Sequence, residues 1–182
     1  MKKSLLTTLT FSIILLSNAQ TEKSDWLIGG GLQFNTSQSN SEFVFNPNVG
    51  WFVANNFAIG AQFFLSYNKL GNFKTTSYGA GPFARYYFLK KNVRPFVLVS
   101  GDAETGKVKF STGSTTENAF NYFLGGGTAF FINDNVALEG IIGYRHTAVK
   151  NESGAGGLNF SFGFQVYINR HQAENVRSTF NK

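Results

Sequence analysis

Apolar and polar side chains alternate with a period of two along most of the chain after residue 20. In the clearest case, Leu158 to Ile168, every even-numbered position is apolar and the odd-numbered positions are mostly polar or small. This period is typical of a β-strand with two different faces, because an amphipathic helix would repeat every 3.6 residues. The alternation predicts eight strands, at Trp26–Asn35, Glu42–Val53, Phe57–Tyr67, Thr75–Leu89, Val93–Ala103, Ala119–Ile132, Val136–Val149 and Leu158–Ile168.

Short and long connections alternate between these strands. Three short ones form a weak internal repeat and end on Asn56, Asn92 and Asn135, a residue type that tolerates the left-handed backbone of tight turns. Transmembrane barrels join their strands by short periplasmic turns and longer external loops. The order therefore predicts an all-β fold, a closed eight-stranded antiparallel up-and-down transmembrane β-barrel with both chain ends on the periplasmic side. The longer polar connections are Thr36–Ser41, Asn68–Lys74, Glu104–Asn118 and Lys150–Gly156.

Composition indicates which strand face meets lipid. Charged residues make up only 14% of the chain, against about 25% in soluble domains. The less polar face carries large aromatic residues, while the opposite face is rich in Gly, Ser, Asn and Gln, which suits a small lumen better than a surface in water. Aromatic residues beside the short turns or the end of the last strand are expected at the headgroup level; they are Trp51, Tyr86, Tyr87, Phe88, Phe131 and Tyr167.

The first residues have the pattern of a secretory signal. Lys2 and Lys3 precede an apolar run from Leu5 to Leu16, too short to span a bilayer, and small residues precede a cleavage point after Ala19. We expect a signal peptide over residues 1–19, a barrel over 20–169 and a periplasmic tail over 170–182. The chain contains no cysteine, so disulfides and lipidation on cysteine are excluded.

The net charge of +6 does not indicate a nucleic-acid-binding protein. The lysines are scattered along the sequence and interleaved with acidic residues, so no basic stripe suited to a phosphate backbone emerges. Solvated loop charge is the favoured interpretation over a dedicated anion-binding patch. The lysines concerned are Lys69, Lys74, Lys107, Lys109 and Lys150.

Arg85, Glu139 and Arg145 stand within the predicted strands, with Asp102 expected near a rim. By alternation all three fall on the polar face, so we expect a charge network that fills the lumen and specifies the fold. Glu139 and Arg145 lie six residues apart on one strand, about 20 Å along it. Arg85 is therefore the better partner for either of them. Gln33, Gln62 and Gln165 are expected in the same interior.

The sequence contains few residue combinations that are typical of catalytic or metal-binding sites. His146 and His171 are expected at opposite ends of the barrel, which argues against a metal site that uses both histidines. The glycine clusters, such as Gly29–Gly31 and Gly125–Gly127, are not phosphate-binding loops, because no helix follows them. His146 near Glu152 and Ser153 leaves a lipid-modifying enzyme open, although such a combination arises easily by chance. We expect no enzymatic activity, no catalytic residues, no metal and no cofactor.

Three segments resemble the small outer-membrane β-barrel family that is often labelled porin-like, and this resemblance covers nearly the whole mature chain. They are Gly81–Phe88, Asn133–Gly140 and Gly157–Tyr167. The resemblance implies the fold and an outer-membrane location and carries no catalytic residues. Family members commonly end on an aromatic residue of the last strand, whereas residues 170–182 follow it here. We therefore expect an internal assembly signal at Phe164–Ile168.

The leading functional hypothesis is a structural or surface-interaction protein of the Gram-negative outer membrane, with a side-chain-filled lumen and outer loops as its contact surface. A narrow porin-like diffusion channel is the alternative, and a lipid-modifying enzyme is the third. The expected partners are outer-membrane lipids, the barrel assembly machinery during biogenesis and an extracellular ligand at the outer loops.

Overall fold

The structure, a computed structural model, describes residues 21–36, 40–70, 73–89, 92–110, 113–149 and 154–169. The expected signal peptide and C-terminal tail lie outside these residues. Eight antiparallel strands close into a barrel in chain order, and β1 completes the ring by pairing with β8. The strands are β1 (Trp26–Thr36), β2 (Asn40–Ala54), β3 (Phe57–Leu70), β4 (Phe73–Tyr87), β5 (Val93–Phe110), β6 (Gly113–Phe131), β7 (Val136–Val149) and β8 (Ala155–Ile168).

The predicted fold class is confirmed, and so are the number and order of the strands. One end of the barrel, here called the turn end, carries the β2–β3, β4–β5 and β6–β7 connections. The first residue of β1 and the last residue of β8 lie at the same end. The opposite end is called the loop end. Within the described residues, no helix is long and apolar enough to cross a membrane.

The predicted long connections at the loop end are wrong in their extent. The expected loop Glu104–Asn118 is mostly paired strand, because β5 continues to Phe110 and β6 begins at Gly113. Both faces of this extension are rich in polar residues, so the apolar alternation ends while backbone pairing continues. The side chains add to the pairing, since the Thr105 hydroxyl donates a hydrogen bond to Asn118 Oδ1 at 2.9 Å.

Asparagine has different roles in the short turns. Asn56 adopts the expected left-handed conformation, with φ of 64°. Asn135 has no positive φ; its side-chain amide instead donates to the carbonyl of Tyr167 at 2.7 Å, and its carbonyl accepts from Tyr167 N at 2.6 Å. The β6–β7 turn is thereby attached to the neighbouring strand β8.

The two faces of the wall differ as the sequence predicts. Large apolar side chains point outward and are exposed along every strand; Phe162, for example, is 81% exposed. The buried side chains point into the lumen. The predicted headgroup-level aromatics divide between these faces: Trp51, Tyr86 and Phe88 are exposed, whereas Tyr87, Phe131 and Tyr167 belong to the lumen core, which corrects that expectation for the latter three.

Candidate functional site: the barrel lumen

An ion pair between two strands crosses the lumen in its turn-end half. Arg85 of β4 donates through Nη1 to both carboxylate oxygens of Glu139 of β7, at 3.0 and 2.8 Å, and both side chains are 5% exposed or less. The guanidinium carbon also lies 4.9 Å from the ring centroid of Phe96 and 5.5 Å from that of Phe83. These contacts hold the buried arginine in one geometry, with its charge compensated by the carboxylate and the rings.

Two tyrosines extend this ion pair into a network. The Tyr167 hydroxyl donates to Glu139 Oε1 at 3.1 Å, and it lies 3.0 Å from the Tyr87 hydroxyl. Arg85 Nη1 reaches the same Tyr87 oxygen at 3.4 Å. All four side chains are buried and hydrogen-bond to one another, whereas Arg85 Nε has no hydrogen-bond partner among the described residues.

A layer of aromatic rings fills the lumen on the turn-end side of this network. Tyr87 packs against Phe52 and Phe96 with ring centroids 5.8 and 5.2 Å apart, and Phe131 packs against Tyr167 at 4.7 Å. Glycines on the neighbouring strands make room for lumen rings, because a side chain there would collide with them. A Cβ atom at Gly50, for example, would stand 2.9 Å from Phe83 Cζ.

The segment before β1 caps the turn end of the barrel. Thr21 is fully buried; its hydroxyl donates to Asn56 Oδ1 at 2.8 Å and accepts from Arg94 Nη1 at 2.7 Å. The backbone N–H of Asn56 donates to the backbone carbonyl of Thr21 at 2.7 Å. Arg94 is itself fully buried, with its guanidinium carbon 4.8 Å from the Phe131 ring centroid. The cap, the rings and the ion pair form consecutive layers, which we call the plug.

The loop-end half of the lumen holds a cavity of about 610 Å³, lined by both polar and apolar side chains, instead of a packed core. Asp102 is its central acceptor: Gln62 Nε2 donates to Oδ1 at 3.0 Å and Asn121 Nδ2 donates to Oδ2 at 2.8 Å. Asn121 also donates to Glu104 Oε2 at 2.8 Å and accepts from the Thr147 hydroxyl. The cavity is therefore lined by fixed hydrogen-bonding groups on four strands.

The structure brings together two of the three predicted lumen charges. Arg85 and Glu139 meet as described, whereas Arg145 lies at the loop end of β7, with Nη1 3.8 Å from Asp102 Oδ1 and its side chain 36% exposed. Asp102 is buried in the lumen and not at a rim. Gln62 and Gln165 line the cavity, and the side chain of Gln33 lies outside the described residues.

Sequence reasoning missed Arg94, Tyr87 and Tyr167 as lumen groups. The alternation itself contains the signal, because Tyr87 shares the face of Arg85, Tyr167 shares that of Gln165, and Arg94 shares that of Asp102. Tyr87 and Tyr167 lie close to short turns or to the end of the last strand, which suggested a position at the headgroup level of the membrane. The structure instead uses them to close the lumen.

His146 lies on the outward face of β7, where its ring stacks on Tyr122 with centroids 4.9 Å apart and an interplanar angle of 22°. Glu152 and Ser153, the other residues of the enzyme hypothesis, lie outside the described residues, as does His171. In the part of the chain that the structure describes, no group of three or more His, Asp or Glu side chains could hold a metal ion.

Solved structures similar to this chain are small outer-membrane barrels. The N-terminal β-barrel domain of Pseudomonas aeruginosa OprF matches with a TM-score of 0.61 at 10% sequence identity, covering 82% of this chain and 100% of that chain. Neisserial surface protein A (NspA) matches with a TM-score of 0.55 at 17% identity, covering 79% of this chain and 93% of that chain. No family model matches the sequence, and no curated protein matches it.

Proposed function

Because the chain has the fold of the small eight-stranded outer-membrane β-barrels, we propose that it is a non-enzymatic protein of the Gram-negative outer membrane with a structural or surface-interaction role. Its turn end faces the periplasm and its loop end faces outward. The barrel assembly machinery inserts it, outer-membrane lipids surround it, and the loop end presents the contact surface for an extracellular ligand. The apolar outward face supports this location, since such a surface is stable in lipid and not in water.

The plug is the observation that carries the proposal of a closed barrel. Eight strands enclose an interior only wide enough for their own side chains. Here the Arg85–Glu139 pair crosses that interior, and the aromatic layer and the Thr21 cap lie beneath it. Arg85 and Glu139 then have a structural role, as the groups that hold the lumen shut.

The loop-end hairpin of β5 and β6 supports a contact role. Its polar residues continue in paired strands beyond Ala103 and Phe120, the last residues of the apolar outward face on β5 and β6. A paired hairpin presents side chains in fixed positions, which lowers the entropic cost of binding a partner.

A narrow diffusion channel is the second candidate, and the loop-end cavity favours it. Side chains leave a cavity of about 610 Å³ in the loop-end half of the lumen, so among the described residues the turn-end layers are the barrier to a continuous path. Opening of the channel would then require the Arg85–Glu139 pair, the ring layer and the Thr21 cap to rearrange together.

Single-channel conductance in planar bilayers tests the closed lumen. We expect the wild type to conduct poorly, and Glu139→Ala to conduct more or to open more often, because the substitution removes the carboxylate that holds Arg85 and Tyr167. Gln62→Ala is the matched control, since Gln62 lines the cavity on the loop-end side of the plug. A large, steady wild-type conductance that Glu139→Ala leaves unchanged would overturn the closed-lumen proposal in favour of the channel.

A further inference from the structure

Four lysines that are scattered in the sequence meet on the outward face of the barrel near the loop end. The strand register places Lys69 of β3 directly opposite Lys74 of β4, and Lys74 directly opposite Lys109 of β5. Lys107 lies one row nearer the apolar band, opposite Thr76. All four side chains are exposed. We call this set the lysine patch.

The lysine patch continues the apolar outward face of the same strands. Tyr67 precedes Lys69 by two residues on β3, and Tyr78 follows Lys74 by four residues on β4. Lys69 and Lys74 therefore each share the outward face of their strand with an exposed tyrosine. Tyrosines at such positions favour the headgroup level of a bilayer. Lysine stems can lie along apolar surface while their ammonium groups reach polar surroundings. The patch is therefore positioned at headgroup depth.

The three strands that carry the patch supply no counter-charge to it. The only acidic residues of β3, β4 and β5 are Asp102 and Glu104, and both point into the lumen cavity. No ion pair or hydrogen bond involves the four lysine side chains in that part of the chain. Like charges directly opposite each other on neighbouring strands are destabilising. With two such pairs in one row, an external anion that lies between these lysines would stabilise the folded barrel.

We propose that the lysine patch binds the phosphate groups of lipid headgroups in the leaflet that meets the loop end. The inference rests on the proposed membrane location. Anionic headgroups attract lysines near a membrane surface, and phosphates of neighbouring lipids can bridge lysines on adjacent strands. Lipid is favoured over a soluble anion because the patch lies on the wall itself, directly beside the apolar band, where headgroups already surround the barrel.

The stability of the full chain in two kinds of vesicle tests this proposal. One kind is pure phosphatidylcholine, and the other contains one phosphatidic acid in five lipids. Lys74→Gln removes both opposed pairs, so it should raise the urea midpoint of unfolding in the neutral vesicles. It should lower that midpoint in the phosphatidic acid vesicles, with a loss of about fivefold in the folding equilibrium for the one lysine removed. Lys74→Arg should behave as the wild type in both.

One control variant and three contrary outcomes separate the possible explanations. Lys23→Gln removes one exposed charge before β1 and should show no reversal of sign. A Lys74→Gln effect of the same sign in both vesicles would overturn the lipid proposal. It would also be overturned if inorganic phosphate alone made the wild type more stable than Lys74→Gln in neutral vesicles, which would identify a free-phosphate site. Failure of the wild type to insert into either vesicle would instead overturn the proposed membrane location.

Discussion

At the residue scale, the buried ion pair between Arg85 and Glu139 is the main charged contact across the lumen. Arg85 and Glu139 come from strands on different sides of the barrel and meet at 2.8 Å with almost no exposure. Taking two charges out of water is costly, so such a pair adds little net stability. Its consequence is specificity, because only the arrangement that joins β4 to β7 across the lumen leaves neither charge alone.

Glu139→Ala should destabilise the barrel by about 3–5 kcal/mol, or less where water reaches the site, because it leaves the Arg85 guanidinium buried without its carboxylate. Replacing both residues by apolar ones of similar size, as in Arg85→Met with Glu139→Leu, should cost clearly less. Urea unfolding in detergent micelles measures both. Equal losses in the single and the double variant would argue against the ion pair as the origin of the effect.

Gly50→Ala should also destabilise the barrel, by about 1–3 kcal/mol, through overpacking. The added methyl group would lie 2.9 Å from Phe83 Cζ, so Phe83→Leu in the same chain should recover part of the loss. Gly157→Ala serves as the control, since nothing lies within 4 Å of a Cβ atom at that position. A midpoint for Gly50→Ala that equals that of the Gly157→Ala control would contradict this account of the lumen packing.

At the element scale, strand pairing extends beyond the apolar pattern. The alternation of apolar and polar residues reports where the wall has lipid on one side and lumen on the other, and it ends where both sides are polar. Backbone pairing needs no such difference, so β5 and β6 continue together as far as Phe110 and Gly113. The sequence consequently predicts the strands of the barrel wall well and their ends at the loop end poorly.

Trypsin added to intact cells should cleave at the loop end, after Lys150, which lies between the end of β7 and the start of β8 in the sequence. Lys90 and Lys91, in the β4–β5 connection at the turn end, should be cleaved only after the outer membrane is permeabilised. Mass spectrometry of the fragments distinguishes the two sets. Early cleavage at Lys90 or Lys91 would mean that the barrel is inserted in the opposite orientation.

At the scale of the whole molecule, the sequence predicts the closed barrel and the side of the wall that most strand residues face, with Tyr87, Phe131 and Tyr167 as the exceptions. Contacts across the lumen and between strands depend in addition on register, which alternation does not specify. For this reason Arg85 could be assigned either Glu139 or Arg145 as a neighbour. For the same reason the lysines at 69, 74, 107 and 109 looked dispersed, although the register of β3, β4 and β5 gathers them in one patch.

The fluorescence of the only two tryptophans tests the central claim, an apolar outer wall surrounded by lipid, most directly. Trp26 and Trp51 are opposite each other on β1 and β2 at the turn end, point outward and are 43% and 42% exposed. In vesicles, lipids brominated close to the headgroup should quench their emission strongly, lipids brominated at the chain ends should quench it less, and aqueous iodide should have little effect. Strong quenching by iodide together with no quenching by either brominated lipid would contradict the claim.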